Sequence, residues 1–153
     1  GEQSFLSSSY LVLLHAREIN NCKLRETDAL PCMTARNLTD IVKIVKNGGQ
    51  VSKLLLRSSK DLVCVNMWCE KVTGPCVCRL ERALQAIEPR SLREVNLSGN
   101  RLTTLPPSLS TLVNLRSLDI SENDFDKRPV ELEQLVLLHS LEYIVEHSNP
   151  YMR

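Results

Sequence analysis

The residues of this chain best suited to metal or redox chemistry are six cysteines, Cys22, Cys32, Cys64, Cys69, Cys76 and Cys78, four of them within fifteen residues. Structural zinc takes paired Cys hooks that let two thiolates reach one ion at about 2.3 Å. Cys64 and Cys69 stand wide for such a hook, the C-x-C pair Cys76 and Cys78 is tight, and His15, His139 and His147 are remote in sequence. The irregular spacing instead predicts six reduced thiols in a reducing compartment. Catalytic arrangements are equally thin. No histidine has a Ser or Cys partner in a sharp turn, and neither an H-E-x-x-H run nor a glycine-rich phosphate loop occurs. Lys46-Asn47-Gly48-Gly49 reads as a helix end, and the acid pairs Glu131/Glu133 and Asp124/Asp126 read as solvated loop charges. The sequons Asn37-Leu38-Thr39 and Asn96-Leu97-Ser98 read as chance occurrences. The expectation is a non-enzyme with no cofactor and no small-molecule substrate.

Whatever this chain does must therefore come from a surface, and a repeat supplies the elements that position it. Leu92-Arg93-Glu94-Val95-Asn96-Leu97-Ser98-Gly99-Asn100 is followed 23 residues later by Leu115-Arg116-Ser117-Leu118-Asp119-Ile120-Ser121-Glu122-Asn123. Every apolar position and the Asn coincide. With Leu102, Leu105-Pro106, Leu109 and Leu112 the unit is L-x-x-L-x-L-x-x-N-x-L-x-x-L-P-x-x-L-x-x-L. The alternating x-L-x-L is a short half-buried strand, leucines inward and intervening residues outward. The Asn follows where the chain leaves the strand, and its amide can bond backbone groups that the turn leaves unpaired. Twenty-six leucines against 4% aromatic residues suit a stack of equal layers.

This unit resembles the leucine-rich repeat family, most closely the short intracellular-type repeats. The resemblance implies an α/β leucine-rich repeat solenoid, with a short curved parallel sheet on the concave side and helices and loops on the convex side. Further units fit at Val51, Leu54 and Leu56 with Ser59 at the Asn position and Leu62 one place late. Leu14, Ile19, Cys22 and Leu24 fit another, broken at Arg17. Leu141, Ile144 and Asn149 form a last unit, in which Glu146 replaces the inner leucine. The unit starts are then 14, 51, 92, 115 and 141. The two long steps hold helices, one over 35–46 with Leu38, Ile41, Val42 and Val45 on one face and Gly48-Gly49 as its stop, the other over 77–87 closed by Pro89. Ser7-Ser8-Ser9 reads as the cap of a short N-terminal helix. The expected organisation is a single domain over 1–153: an N-terminal cap (1–13), irregular longer repeats (14–90), regular repeats (91–140) and a capping repeat (141–153).

Length and charge exclude other classes. One core is expected of 153 residues. The net charge of +1 is too balanced for attraction of nucleic acid or a membrane surface by the whole chain, and no apolar run reaches the ~20 residues of a bilayer span. Residues 1–90 carry +4 and 91–153 carry −3, so RNA could be met only locally, by the basic N-terminal half through Lys43, Lys46, Lys53, Arg57 and Lys60.

By resemblance, partners bind the outward strand residues. Those expected on that face are Ala16, Glu18 and Asn20 in the first unit, then Lys53, Leu55, Arg57, Glu94, Asn96, Ser98, Ser117, Asp119, Ser121, Tyr143, Val145 and His147. The expected function is a non-catalytic protein-interaction scaffold, a subunit or adaptor of a larger intracellular, cytoplasmic assembly. The alternatives are an RNA-contacting structural subunit of a ribonucleoprotein such as a ribosome, an extracellular recognition domain, and, should Gly1 arise by processing, a mitochondrial or other organellar location.

Overall fold

The computed structural model describes residues 32–59, 62, 76–137 and 140–153. Within them five short strands, β1 (Cys32–Ala35), β2 (Gln50–Leu55), β3 (Glu94–Asn96), β4 (Ser117–Asp119) and β5 (Tyr143–Val145), form one parallel sheet in chain order. Leu54 lies opposite Val95, Val95 opposite Leu118, and Leu118 opposite Ile144. These are the fourth positions of the units beginning at 51, 92, 115 and 141, so repeat phase and strand register are the same thing. The unit read at 14–24, the cap over 1–13 and the serine cap at 7–9 lie outside the described residues. β1 was not expected: Cys32-Met33-Thr34-Ala35 carries no leucine, yet it pairs with β2 and buries Ala35 fully.

Parallel strands need a returning segment between them. Here these are α1 (Leu38–Lys46), α2 (Cys78–Ala86), a 3₁₀ turn (Pro107–Thr111) and α3 (Glu131–Leu137), packed side by side in that order. α1 is closed at both ends by its own sequence. Asn37 Oδ1 accepts the Asp40 N–H at 2.8 Å, and Asp40 Oδ2 accepts the Arg36 N–H, a reciprocal cap. At the other end Gly48, at φ +80°, lets its own N–H reach the Val45 carbonyl and that of Gly49 the Ile44 carbonyl, the Schellman arrangement. Observed α1 and α2 fall inside the spans expected for them.

α3 overturns the reading of Glu131 and Glu133 as loop charges, since both stand in its first turn. Leu132 and Leu135 occupy the positions held one unit earlier by Leu109 and Leu112, and all four are buried. The same core demand is met by a 3₁₀ turn in Pro107-Ser-Leu-Ser-Thr and by an α-helix in Glu131-Leu-Glu-Gln-Leu-Val-Leu, because Pro and Ser are poor helix formers and Glu, Gln and Leu good ones. The core is otherwise the expected one: Leu54, Leu56 and Leu62, then Leu92, Val95, Leu97, Leu102 and Leu105, then Leu115, Leu118, Ile120 and Phe125.

The eighth position of each described unit is left-handed, at Ser58 (φ 49°), Gly99 (69°), Glu122 (56°) and Ser148 (60°). Only glycine takes that conformation without strain. A Cβ on Gly99 would also stand 2.7 Å from Ser58 Oγ. Gly99→Ala should therefore cost roughly 1–2 kcal/mol, whereas Ser148→Gly should be neutral or stabilising by up to about 1 kcal/mol. Urea melts of the two variants check the pair, and a loss of stability in Ser148→Gly would refute the strain argument.

Cys32 is disulfide-bonded, to a partner outside the described residues, so the expectation of six reduced thiols fails at this position. Spacing along a chain does not disclose which cysteines come within the roughly 4.4–6.8 Å between Cα atoms that a bridge needs.

Candidate protein-binding face of the sheet

The strand register aligns the outward side chains into rows running across the sheet. Lys53, Glu94, Ser117 and Tyr143 make one row, and Leu55, Asn96, Asp119 and Val145 the next. Neighbours within a row are about 4.8 Å apart, the spacing of paired strands. Tyr143 is the most open of the eight, 65% exposed. The other seven are half-buried at their bases by the strands beside them.

The third expected row, Arg57, Ser98, Ser121 and His147, behaves differently. Ser98 and Ser121 are buried, at 0% and 2% exposure. Each hydroxyl turns back along its own strand: Asn96 Oδ1 accepts both the N–H and the Oγ–H of Ser98, at 2.9 and 2.7 Å, and Asp119 Oδ1 accepts both from Ser121, at 2.9 and 2.6 Å. Two of the twelve residues expected on the face from Lys53 onward thus fix the end of the strand and offer no surface. Asn96-Leu97-Ser98, read above as a chance sequon, and Asp119-Ile120-Ser121 form the same local motif.

Arg57 and His147 remain exposed. Arg57 bridges two units: its Nη1 donates to Ser98 Oγ at 2.9 Å and lies 2.6 Å from Glu122 Oε2. The Glu122 hydrogen bond, then its charge, raises Arg57 above its ordinary value, and Asp119 adds to this. The basic group expected to meet a partner is therefore already held by an acid of the same chain. His147 Nδ1 lies 3.0 Å from Ser148 Oγ. Sequence reasoning passed over the second position of the later units, occupied by Arg93, Arg116 and Glu142, which lies in register just before the first row; its counterpart on β2, Ser52, is buried. The signal was present, since two successive units place arginine there.

Behind the rows runs a ladder of buried asparagines. Asn100 Nδ2 donates to Leu56, Leu97 and Ser98 carbonyls, and Asn123 Nδ2 to Leu97, Ile120 and Ser121. Asn123 Oδ1 accepts N–H groups of Asn100 and Leu102, and Asn149 donates to Ile120 and accepts from Phe125. Each Asn therefore clamps its own turn to the one before it, which holds the outward rows in line.

The last unit ends the stack with a charge in place of a leucine. Glu146 receives Arg128 Nε at 3.0 Å and Tyr151 Oη at 2.7 Å. The Arg128 hydrogen bond is the main cause holding the Glu146 carboxyl below its ordinary 4.5, and burial, then Glu146, raises the Tyr151 phenol. A depressed carboxyl adds stability that is present above its unfolded value and is lost as pH falls through the folded one. Glu146→Gln should then lower stability by about 1 kcal/mol at pH 7, a figure already discounted for exposure. The gap to wild type should narrow as pH falls below the carboxyl's ordinary 4.5 and close once pH has passed through its lowered folded value. Paired urea melts at pH 7 and in acid measure it, and a gap independent of pH would exclude the ion pair as its source.

Among the described residues no group of three or more His, Cys, Asp and Glu side chains could hold a metal ion. Cys64 and Cys69 lie outside those residues. No described helix is long and apolar enough to cross a membrane.

A protein-family model described as leucine rich repeats (2 copies) matches residues 90–129. A curated relative, the adenylate cyclase of Schizosaccharomyces pombe, is 42% identical over 53 residues, 35% of this chain and 3% of that protein. The chain thus spans a very small part of the relative it matches. No solved structure matches. The two matched repeats coincide with the units from Leu92 and Leu115, the asparagine ladder joins them to their neighbours, and residues 90–129 are leucine-rich repeats.

Proposed function

We propose that this chain is a non-catalytic protein-interaction module of a larger assembly, binding its partner across the outward rows of the sheet as the concave face of a solenoid. The observation that carries this is the unbroken register from Lys53 to Tyr143 and from Leu55 to Val145. Side chains held by a paired backbone lose little further freedom on binding, so more of the contact energy appears as affinity. Tyr143, Val145 and Leu55 are the apolar anchors, with Tyr143 the strongest candidate for a dominant contact.

A protein partner is favoured over RNA by the charge pattern. Lys53 stands beside Glu94, Asp119 lies in the adjoining row, and Arg57 is paired with Glu122. A face of alternating sign suits a complementary protein surface, whereas phosphate recognition needs continuous positive charge. A salt titration of partner binding separates the two. The protein reading expects a shallow slope, and a slope of several counterions per complex would favour RNA.

A recognition role outside the reducing cytoplasm is the second reading, favoured by the disulfide at Cys32. Alkylation of the native protein before and after reduction decides the point. Recovery of all six thiols without reductant from protein made in its own cell would return the assembly to the cytoplasm.

A further inference from the structure

The structure separates the two N-x-S/T tripeptides. Asn96-Leu97-Ser98 lies within the outward rows: Asn96 stands between Leu55 and Asp119, and its Oδ1 holds the hydroxyl of Ser98, which is fully buried. Asn37-Leu38-Thr39 lies outside them, where the chain leaves β1 and enters α1. Thr39 is exposed in the first turn of α1, and its hydroxyl makes no hydrogen bond with the described residues.

Asn37 uses only half of its amide for the fold. Oδ1 accepts the Asp40 N–H at 2.8 Å, the cap of α1, from an extended backbone at φ −159° and ψ 173°. Nδ2 bonds to none of the described residues and is not a buried atom, so it reaches solvent. Five residues earlier, Cys32 is disulfide-bonded. Disulfides persist in oxidising compartments such as the secretory lumen, where an N-x-S/T asparagine with any middle residue but Pro is a glycan acceptor. Leu38 meets that condition.

We propose that Asn37 carries an N-linked glycan, and that Asn96 does not. The inference rests on the second reading above, a location outside the reducing cytoplasm. The donor is a lipid-pyrophosphate-linked oligosaccharide. Nδ2 attacks its anomeric carbon, the new N–C bond replaces the C–O bond to pyrophosphate, and the lipid pyrophosphate leaves. Nδ2 gives up one of its two protons and keeps the other. Oδ1 is untouched, so the cap on the Asp40 N–H survives the modification. A bulky, solvated group at the start of α1 leaves the outward rows of β2 to β5 uncovered, whereas one on Asn96 would stand over them.

The test is peptide mass spectrometry of the full chain from its own cell, before and after peptide-N-glycosidase, which releases an N-glycan and leaves Asp where the modified Asn stood. Position 37 should read as Asp after the enzyme and position 96 as Asn, in a chain whose Cys32 is bridged. Thr39→Ala should abolish the glycan and Thr39→Ser should retain it. Thr39 is the position changed because Asn37 itself also caps α1. A bridged Cys32 with position 37 unmodified overturns the glycan and leaves the reading on which it rests intact. Six thiols recovered without reductant would overturn that reading and the glycan with it. A glycan that survives Thr39→Ala, and so sits elsewhere, overturns the assignment to Asn37.

Discussion

Asn123→Ala is expected to destabilise the protein more than any other single side-chain truncation outside the leucine core, by about 4 kcal/mol. Its amide makes three donor contacts and two acceptor contacts at 4% exposure. Removal strands the N–H groups of Asn100 and Leu102 in a site that water reaches poorly, and each such group costs roughly 1–3 kcal/mol when wholly unsatisfied, while the carbonyls of Leu97, Ile120 and Ser121 each lose one of two donors and keep the other, from Asn100, Asn149 and Gly99. Some relaxation and water entry reduce the sum. Asn123→Asp separates this account from a simple loss of volume. A carboxylate keeps the shape but has no donor, and would set a negative charge against the carbonyls of Leu97, Ile120 and Ser121. Asp should therefore be no better than Ala at pH 7. Chemical denaturation of both variants measures it, and an Asp variant within 1 kcal/mol of wild type would show that the ladder's donor bonds contribute little.

The second large effect is at the inward strand positions. Leu97→Ala and Leu118→Ala should each cost about 2–5 kcal/mol, the transfer loss plus the cavity left where neighbours cannot collapse. Both leucines are fully buried between adjacent units. Arg101→Ala is the comparison, since Arg101 is exposed and keeps its left-handed backbone (φ 58°) with either side chain. It should cost under about 0.5 kcal/mol. Small and equal effects from all three would contradict the register from which the binding face is built.

Much of this fold is written in the sequence by periodicity. From Leu92 to Asn123 the inward leucines, the turn asparagines and the outward residues recur with a period of 23 residues, so strand, face and ladder follow together. Phase at Val51 survives a weak match because Leu54 and Leu56 still fill the inward sites opposite Val95 and Leu97. β1 was hidden for the converse reason. Cys32 to Ala35 has neither leucine nor Asn, and β2 supplies the pairing that makes it a strand. The disulfide at Cys32 and the Arg57 to Glu122 pair are contacts between chain positions far apart, which local pattern does not encode.

Why Ser98 and Ser121 drop out of the face is instructive about alternation. Two-residue periodicity assigns them outward, but the strand has already ended at Asn96 or Asp119, and a serine two places on can bond the preceding side chain. Strand length, not phase, sets how many residues the face contains. In the same way Glu146 keeps the leucine's position while Arg128 and Tyr151 supply polar partners for a half-buried carboxylate.

The central claim is that the rows of outward residues on β2 to β5 bind a protein partner. The most direct measurement is site-specific photocrosslinking of the full chain in its own cell, with p-benzoylphenylalanine at Tyr143 or Asn96 and, as a control at an exposed site outside those rows, at Val113, followed by mass spectrometry. The account predicts that Tyr143 and Asn96 trap the same protein and that Val113 does not. It also predicts that Glu94→Lys with Asp119→Lys abolishes both crosslinks while the melting temperature moves by no more than a few degrees. The same protein trapped from Val113 alone, or crosslinks at Tyr143 and Asn96 that survive the double reversal, would contradict it.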